Sequence, residues 1–237
     1  VAVIRYHGAV SHLEAVMVIW ANEVEELHIP QWVHDIHAYR RWTERTDFPE
    51  HGQISWICGE VWIDMGKEQL FTHVLVKTEI TSVLRQLTKT ENLGFVFGDG
   101  LMLTNFAADI SVNPDATFVS HATLQSDRVR LIEGHEGGFT ELQGSPDMVL
   151  EVVSRSSFRK DSVVLKRAYW EAGVREYWLI DARRPAIRFD IFRRGPKGFT
   201  ATRRRDGWLR SDVFARSFRL TATETTTGHP EFRLETR

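Results

Sequence analysis

The stretch Gly144-Ser-Pro-Asp-Met-Val-Leu-Glu-Val-Val-Ser154 limits what this chain can fold into more than any other part of it. Apolar residues flank Glu151 on both sides, which reads as a strand buried on both faces. Side-chain alternation puts Asp147, Val149, Glu151 and Val153 on one face and Met148, Leu150 and Val152 on the other. A carboxylate therefore stands in the middle of a core strand. Ionised and unpaired, it would cost on the order of 1–5 kcal/mol, so a metal ion, a lysine or both should lie beside it.

The residues after this strand define its setting. Asp161 is placed to cap a helix, and Leu165, Ala168, Tyr169 and Ala172 fall at i, i+3, i+4 and i+7 on its buried stripe, with Gly173 as the stop signal. Lys160 comes just before the cap and Lys166 lies just off the stripe. Both sit toward the helix N-terminus, where the macrodipole disfavours a cation, so a carboxylate-rich partner is expected. Glu176-Tyr-Trp-Leu-Ile-Asp181 is a second core strand. Strand, helix and strand in this order form a right-handed β-α-β unit with two parallel strands. Ile187, Phe189 and Ile191 then alternate with Arg188 and Asp190, and the turn Gly195-Pro-Lys-Gly198 leads to a returning strand over Phe199–Arg205. Trp208, Val213, Phe214 and Phe218 are available to cap the sheet, and the Thr-rich residues 221–237 read as a flexible tail.

Upstream the pattern is weaker. Residues 1–49 read as a helical extension: a short strand at Val1–Arg5, a helix from Ser11 to Leu27, then Pro30 and a second helical pattern through Trp42. His28, His34 and His37 lack neighbouring cysteines and read as surface or packing residues. Ile54–Cys58 and Val61–Ile63, separated by Gly59-Glu60, predict a β-hairpin. A long helix comes next over Glu68–Leu87, its apolar stripe of Leu70, Val74, Ile80, Leu84 and Leu87 interrupted once, by Lys77. Gly94–Phe97, Leu101–Leu103 and Ile110–Val119 read as strands, and the glycine-rich, charged segment Gln125–Gly144 as a surface loop suited to a mobile flap.

A chain of 237 residues with 42% hydrophobic residues can bury the core of one domain with an extension, or of two small domains. Its single cysteine, Cys58, excludes an internal disulfide and a cysteine-based zinc cluster, which fits a reducing cytoplasm. The apolar run Ala15–Trp20 is too short to span a membrane. Net charge is −2, unlike a strongly basic nucleic-acid binder, but it is unevenly spread. Arg183–Arg219 holds eleven arginines and Lys197 against Asp190, Asp206 and Asp212. A basic end beside an acidic remainder suits one face that approaches phosphates and a pocket that holds cations, or simply a solvated arginine-rich hairpin.

In element order the chain resembles the PD-(D/E)XK nuclease superfamily, and within it the Uma-type family of bacterial restriction-endonuclease-like proteins. The resemblance rests on Ile57–Met65 with His73, on Pro114-Asp115, on Pro146–Ser154, on Lys160-Asp161, Lys166 and Tyr169, and on Ala172–Asp181. It spans residues 50–220 and implies an α/β fold, a restriction-endonuclease-like core with a central mixed β-sheet flanked by helices. It also implies a metal-dependent endonuclease acting on DNA, with Mg²⁺ or Mn²⁺ held by Asp115 and Glu151 and a lysine near the attacking water. The superfamily's lysine would stand two residues after Glu151, where this chain has Val153. The amine then comes from the next helix, as Lys160 or Lys166. A homodimer is implied, since one site cuts one strand.

Each residue has a plainer reading as well. Pro114-Asp115 can simply begin a strand. The resemblance allows Glu60 or Glu68 as an extra acidic residue near the first helix, but each reads as a surface residue, His73 as a packing histidine, and Asp147, roughly 13 Å from Glu151 at strand rise, as a support rather than a ligand. The competing account of the whole is a nuclease fold kept as a catalytically weak or inactive nucleic-acid-binding or structural module.

Overall fold

The structure is a computed structural model and describes residues 2–5, 16–20, 23–49, 51–134, 137–183 and 186–237. The chain opens with β1 (Ala2–Arg5), β2 (Val16–Trp20), β3 (Glu23–Leu27), α1 (Ile36–Thr43), β4 (Gln53–Ile57) and β5 (Glu60–Asp64). A π-helical turn, Leu70–Leu75, runs into α2 (Val76–Thr90). Next come β6 (Gly94–Phe97), β7 (Met102–Asn105), β8 (Ile110–Val112), β9 (Ala116–Ser120), the short α3 (His121–Leu124), β10 (Val129–Glu133), β11 (Phe139–Gly144) and β12 (Met148–Val152). A second π-helical stretch, Lys160–Leu165, continues as α4 (Lys166–Glu171). The chain closes with β13 (Glu176–Asp181), β14 (Arg188–Gly195), β15 (Gly198–Ala201), β16 (Leu209–Ser211), β17 (Arg216–Glu224) and β18 (Pro230–Thr236).

The central sheet is mixed and six-stranded, ordered β15-β14-β13-β12-β9-β6. β12 and β13 are parallel, joined through α4, and β9 pairs antiparallel on the other side of β12. The alternation expected of β12 is what the two faces show. Met148, Leu150 and Val152 pack with Val76, Ile80 and Leu84 of α2. Val149 and Val153 pack with Leu165, Ala168 and Tyr169 on the opposite side. The two helices therefore cover opposite faces of one sheet, and burial on both explains the nearly continuous apolar run. Gly144 is needed where it stands: at φ 120° its added Cβ would lie 2.1 Å from the Arg128 carbonyl oxygen.

A seven-stranded sheet, ordered β1-β5-β4-β8-β7-β11-β10, holds the predicted 54–63 hairpin as β4 and β5, with α1 packed on it through Tyr39 and Trp42. Three segments differ from expectation. The segment 11–27 is not helical where it is described: β2 and β3 pair as an antiparallel hairpin, and residues 11–15 and 21–22 lie outside the described residues. Val16, Val18 and Ile19 are β-branched residues that favour the pleated strand. The glycine-rich 125–144 segment is the β10–β11 hairpin, with β11 added parallel to β7. Residues 221–237 are no loose tail. β17 and β18 pair over seven positions, and Phe232 and Leu234 bury into the core beside α2. There the Leu234 amide donates to Glu79 at 2.8 Å. Threonine is β-branched, so Thr221 and Thr223, alternating with Leu220 and Ala222, satisfy a strand as readily as a tail.

Candidate functional site

The strand carrying Glu151 and the residue preceding β9 meet at one end of the central sheet. Leu150 pairs with Ala116 in the antiparallel β9–β12 ladder, so the next position out sets Glu151 opposite Asp115. Asp115 is fixed there by the Val152 amide, which donates to its Oδ2 at 2.6 Å. Both carboxyl groups line one cavity of about 50 Å³ at the end of the sheet, room for a cation with a water or two. Asp64, Glu68 and Asp161 line it too, against Lys67, Lys160 and His73.

Two half-shells make up the site. On the α2 side, Lys77 Nζ lies 2.9 Å from both Glu68 oxygens, 2.6 Å from Asp99 Oδ2 and 3.5 Å from Asp115 Oδ1. His73 Nε2 stands 3.7 Å from Asp115 Oδ2, and its Nδ1 stands 3.3 Å from Glu68 Oε2. One ligand atom each from Glu68, His73 and Asp115 fall within 4.8 Å of one another, close enough to share an ion. On the α4 side, the Tyr169 hydroxyl donates to Glu151 Oε1 at 2.6 Å. Lys160 Nζ lies 3.9 Å from Asp161 Oδ1, while Ser157 donates to the other Asp161 oxygen. Asp161 Oδ1 is buried and has no hydrogen-bond partner among the described residues.

These contacts dictate the charge state. Burial, then Asp115 and Asp161, push the Glu151 carboxyl well above its usual range, so it favours the protonated form. Burial also raises Asp115 against the pull of His73 and Lys77, and it raises Asp161 to about 6. For the lysines burial works the other way, yet the surrounding carboxylates win. Lys160 is raised by Asp161 and Glu151, and Lys77 by Asp115, Asp99 and Glu68, so both remain ammonium ions. A pocket in which buried acids outnumber the cations and one acid is forced toward neutrality is chemically suited to a further positive charge. The carboxylate-rich donor set, with a single imidazole, suits a hard divalent cation such as Mg²⁺ or Mn²⁺.

The structure brings together Asp115, Glu151 and Lys160 and leaves Lys166 apart. Lys166 Nζ rests 3.6 Å from the centre of the Phe192 ring, where burial lowers its basicity. Asp161 does not cap the helix; it lies inside the first turn with its carboxyl turned into the site. Asp147 is a support, accepting from Ser120 N at 2.8 Å, Thr123 Oγ1 at 2.9 Å and Arg175 Nη1 at 3.1 Å. Glu68, expected at the surface, and His73, expected in packing, both belong to the pocket, and Lys77 and Asp99 adjoin it. Lys77 carried a signal in sequence: a lone charge in an apolar helical stripe has the same meaning as Glu151 in its strand. Glu68 carried only the resemblance, which allows one more acidic residue near the first helix, and Asp99 carried none.

A family model, Uma2, described as "Putative restriction endonuclease", matches residues 36–223. The chain belongs to this family. Its fold is also that of a crystal structure described as "a putative nuclease belonging to DUF820" from Anabaena variabilis ATCC 29413. The two are 18% identical with a TM-score of 0.55, over 73% of this chain and 90% of that one. No curated protein matches. The family and the shared architecture place the chain among restriction-endonuclease-like proteins of mixed α/β fold. Among the described residues no helix is long and apolar enough to cross a membrane.

Proposed function

We propose that the protein is a divalent-metal-dependent endonuclease that hydrolyses DNA phosphodiester bonds in the cytoplasm. The observation that carries this reading is the convergence of Asp115 and Glu151 on one cavity beside the buried ammonium of Lys160. Asp115 and Glu151 would hold Mg²⁺ or Mn²⁺, with Glu68 and His73 as further donors beside Asp115. The chemistry such a cation supplies is activation of a water and stabilisation of charge on the scissile phosphate. The chain's own contribution is positional. The Val152 amide and the Tyr169 hydroxyl fix the two carboxyl groups, and Lys160 offers a charged amine at the same cavity. Because one such site cuts one strand, cleavage of both strands calls for a homodimer.

The test is Mg²⁺-dependent nicking of supercoiled plasmid. Glu151→Ala should lose cleavage by at least about a thousandfold while keeping a native circular-dichroism spectrum; undiminished cleavage refutes the assignment. Lys160→Ala should cost about a hundredfold or more, and Lys166→Ala should stay within a few-fold of wild type.

A second reading has its own support. Lys77 already neutralises much of the Glu68, Asp99 and Asp115 group, and Val153 stands where the superfamily lysine belongs. On that reading the fold is a nucleic-acid-binding or structural module with little or no catalysis. Plasmid left intact by wild type in both Mg²⁺ and Mn²⁺ would favour it.

A further inference from the structure

Of the arginine-rich end, Arg183 reaches the rim of the acidic pocket, donating to the Ser154 carbonyl at 3.3 Å, while Arg193, Arg203, Arg205 and Arg210 build a surface of their own. Leu209 and Ser211 of β16 turn inward, so Arg210 between them turns out. Arg193 on β14, Arg203 and Arg205 on the connection to β16, and Arg237 join it around a groove of about 450 Å³ that also contains Trp208. Among the described residues no acidic side chain lines this groove. Arg193 is paired with the exposed Asp212 at 2.8 Å. Among the described residues, Arg203, Arg205, Arg210 and Arg237 have no side-chain carboxylate within ion-pair distance. Several guanidinium groups held together without counter-charge repel one another, and a polyanion relieves that repulsion.

The chemistry narrows the ligand. Guanidinium groups bind phosphate oxygens in pairs of parallel hydrogen bonds. Trp208 could in principle stack a base, but Arg219 and Arg237 already lie over its ring, at 4.7 and 4.3 Å from the centre. The indole therefore holds arginines in place, and the groove offers contacts to backbone phosphates rather than to bases. In the sheet, Arg193 pairs with Glu176 while Glu151 pairs with Leu179. Three residues along and two strands across give roughly 14 Å between the backbones of Glu151 and Arg193, and the odd offset turns their side chains to opposite faces of the sheet.

We propose that this groove is an auxiliary site for the phosphodiester backbone of duplex DNA, separate from the acidic pocket. Its role as a substrate-holding surface rests on the nuclease reading; its affinity for a duplex does not. Binding here is sequence-independent and salt-dependent through release of counterions.

The experiment is fluorescence anisotropy of a labelled duplex of about 30 base pairs in EDTA, repeated between about 50 and 200 mM salt. The double variant Arg205→Glu with Arg210→Glu should bind at least about tenfold more weakly, with a log–log salt slope shallower by about two. Arg205→Lys with Arg210→Lys should keep most of the affinity, and Arg130→Glu, on exposed β10, should match wild type. Unchanged affinity and slope in the Glu double variant, or a wild type that does not bind the duplex, overturns the proposal. Tighter binding to anionic vesicles than to duplex, lost in the same double variant, overturns the choice of DNA. Absence of cleavage in Mg²⁺ with groove-dependent binding intact would sink the nuclease reading alone.

Discussion

Glu151 and Glu176 lie on neighbouring parallel strands, both in the core, and their surroundings are opposite. Glu176 is 1% exposed and receives four hydrogen bonds. They come from Trp178 Nε1 at 3.0 Å, Ser211 Oγ at 2.6 Å, and the Asp212 and Val213 amides at 2.6 and 3.1 Å. Glu151 is 5% exposed and receives one, from Tyr169, with Asp115 and Asp161 pushing its carboxyl up against the pull of the Lys160 ammonium. Equal burial thus serves two ends. A buried carboxylate saturated with donors is a brace, here tying the β16–β17–β18 sheet to the central one. A buried carboxylate with one donor, set among other acids, is undercompensated, and a further cation would relieve it. Asp147, with its three donors, falls with Glu176.

The contrast can be broken most forcefully at Glu176. Glu176→Ala leaves two backbone amides, an indole N–H and a hydroxyl without their acceptor, and should cost about 3–5 kcal/mol in urea unfolding. Glu151→Ala should cost far less, and equal losses would erase the distinction. Glu151→Gln sharpens it with a change of sign. Replacing a poorly compensated buried acid by its neutral isostere should stabilise the metal-free protein at pH 8 by about 1–4 kcal/mol, an effect that shrinks as the pH falls.

Asp161 supplies the pH dependence with smaller amplitude. Its folded pKa of about 6 exceeds the ordinary 3.8, so folding takes up protons in that window. The stability this contributes is complete below the ordinary value and is lost as pH rises through about 6. Asp161→Asn should therefore gain on wild type by about 1–2 kcal/mol between pH 4 and pH 7, read as the difference between unfolding curves. A gain on lowering the pH instead would show that Asp161 is ionised and well paired.

The sequence was legible where burial and periodicity speak together. The alternation of β12, the β-α-β unit and the 54–63 hairpin all follow from patterns that only one packing satisfies. It misled where one composition suits two structures. Glycines and charges in 125–144 suggested a loop although Val129, Leu131, Leu142 and their neighbours form a ladder. Threonines from Thr221 on suggested a tail although Thr221 and Thr223 lie in β17 and residues 225–227 in its connection to β18. At the site, Asp115 and Glu151 stood out through motif and strand context. Glu68 did not, because its place depends on how the segment after β5 folds back toward α2, which no local pattern encodes. That Lys160 lines the cavity from the π-helical first turn while Lys166 rests on Phe192 was likewise hidden from the local pattern.

Manganese binding tests the central claim most directly. Titration of the metal-free protein with Mn²⁺, followed by electron paramagnetic resonance of the free ion, should show saturable binding in wild type. Glu151→Gln and Asp115→Asn should each weaken it by at least about tenfold. A wild type that binds no Mn²⁺, or variants that bind it as wild type does, would contradict the account.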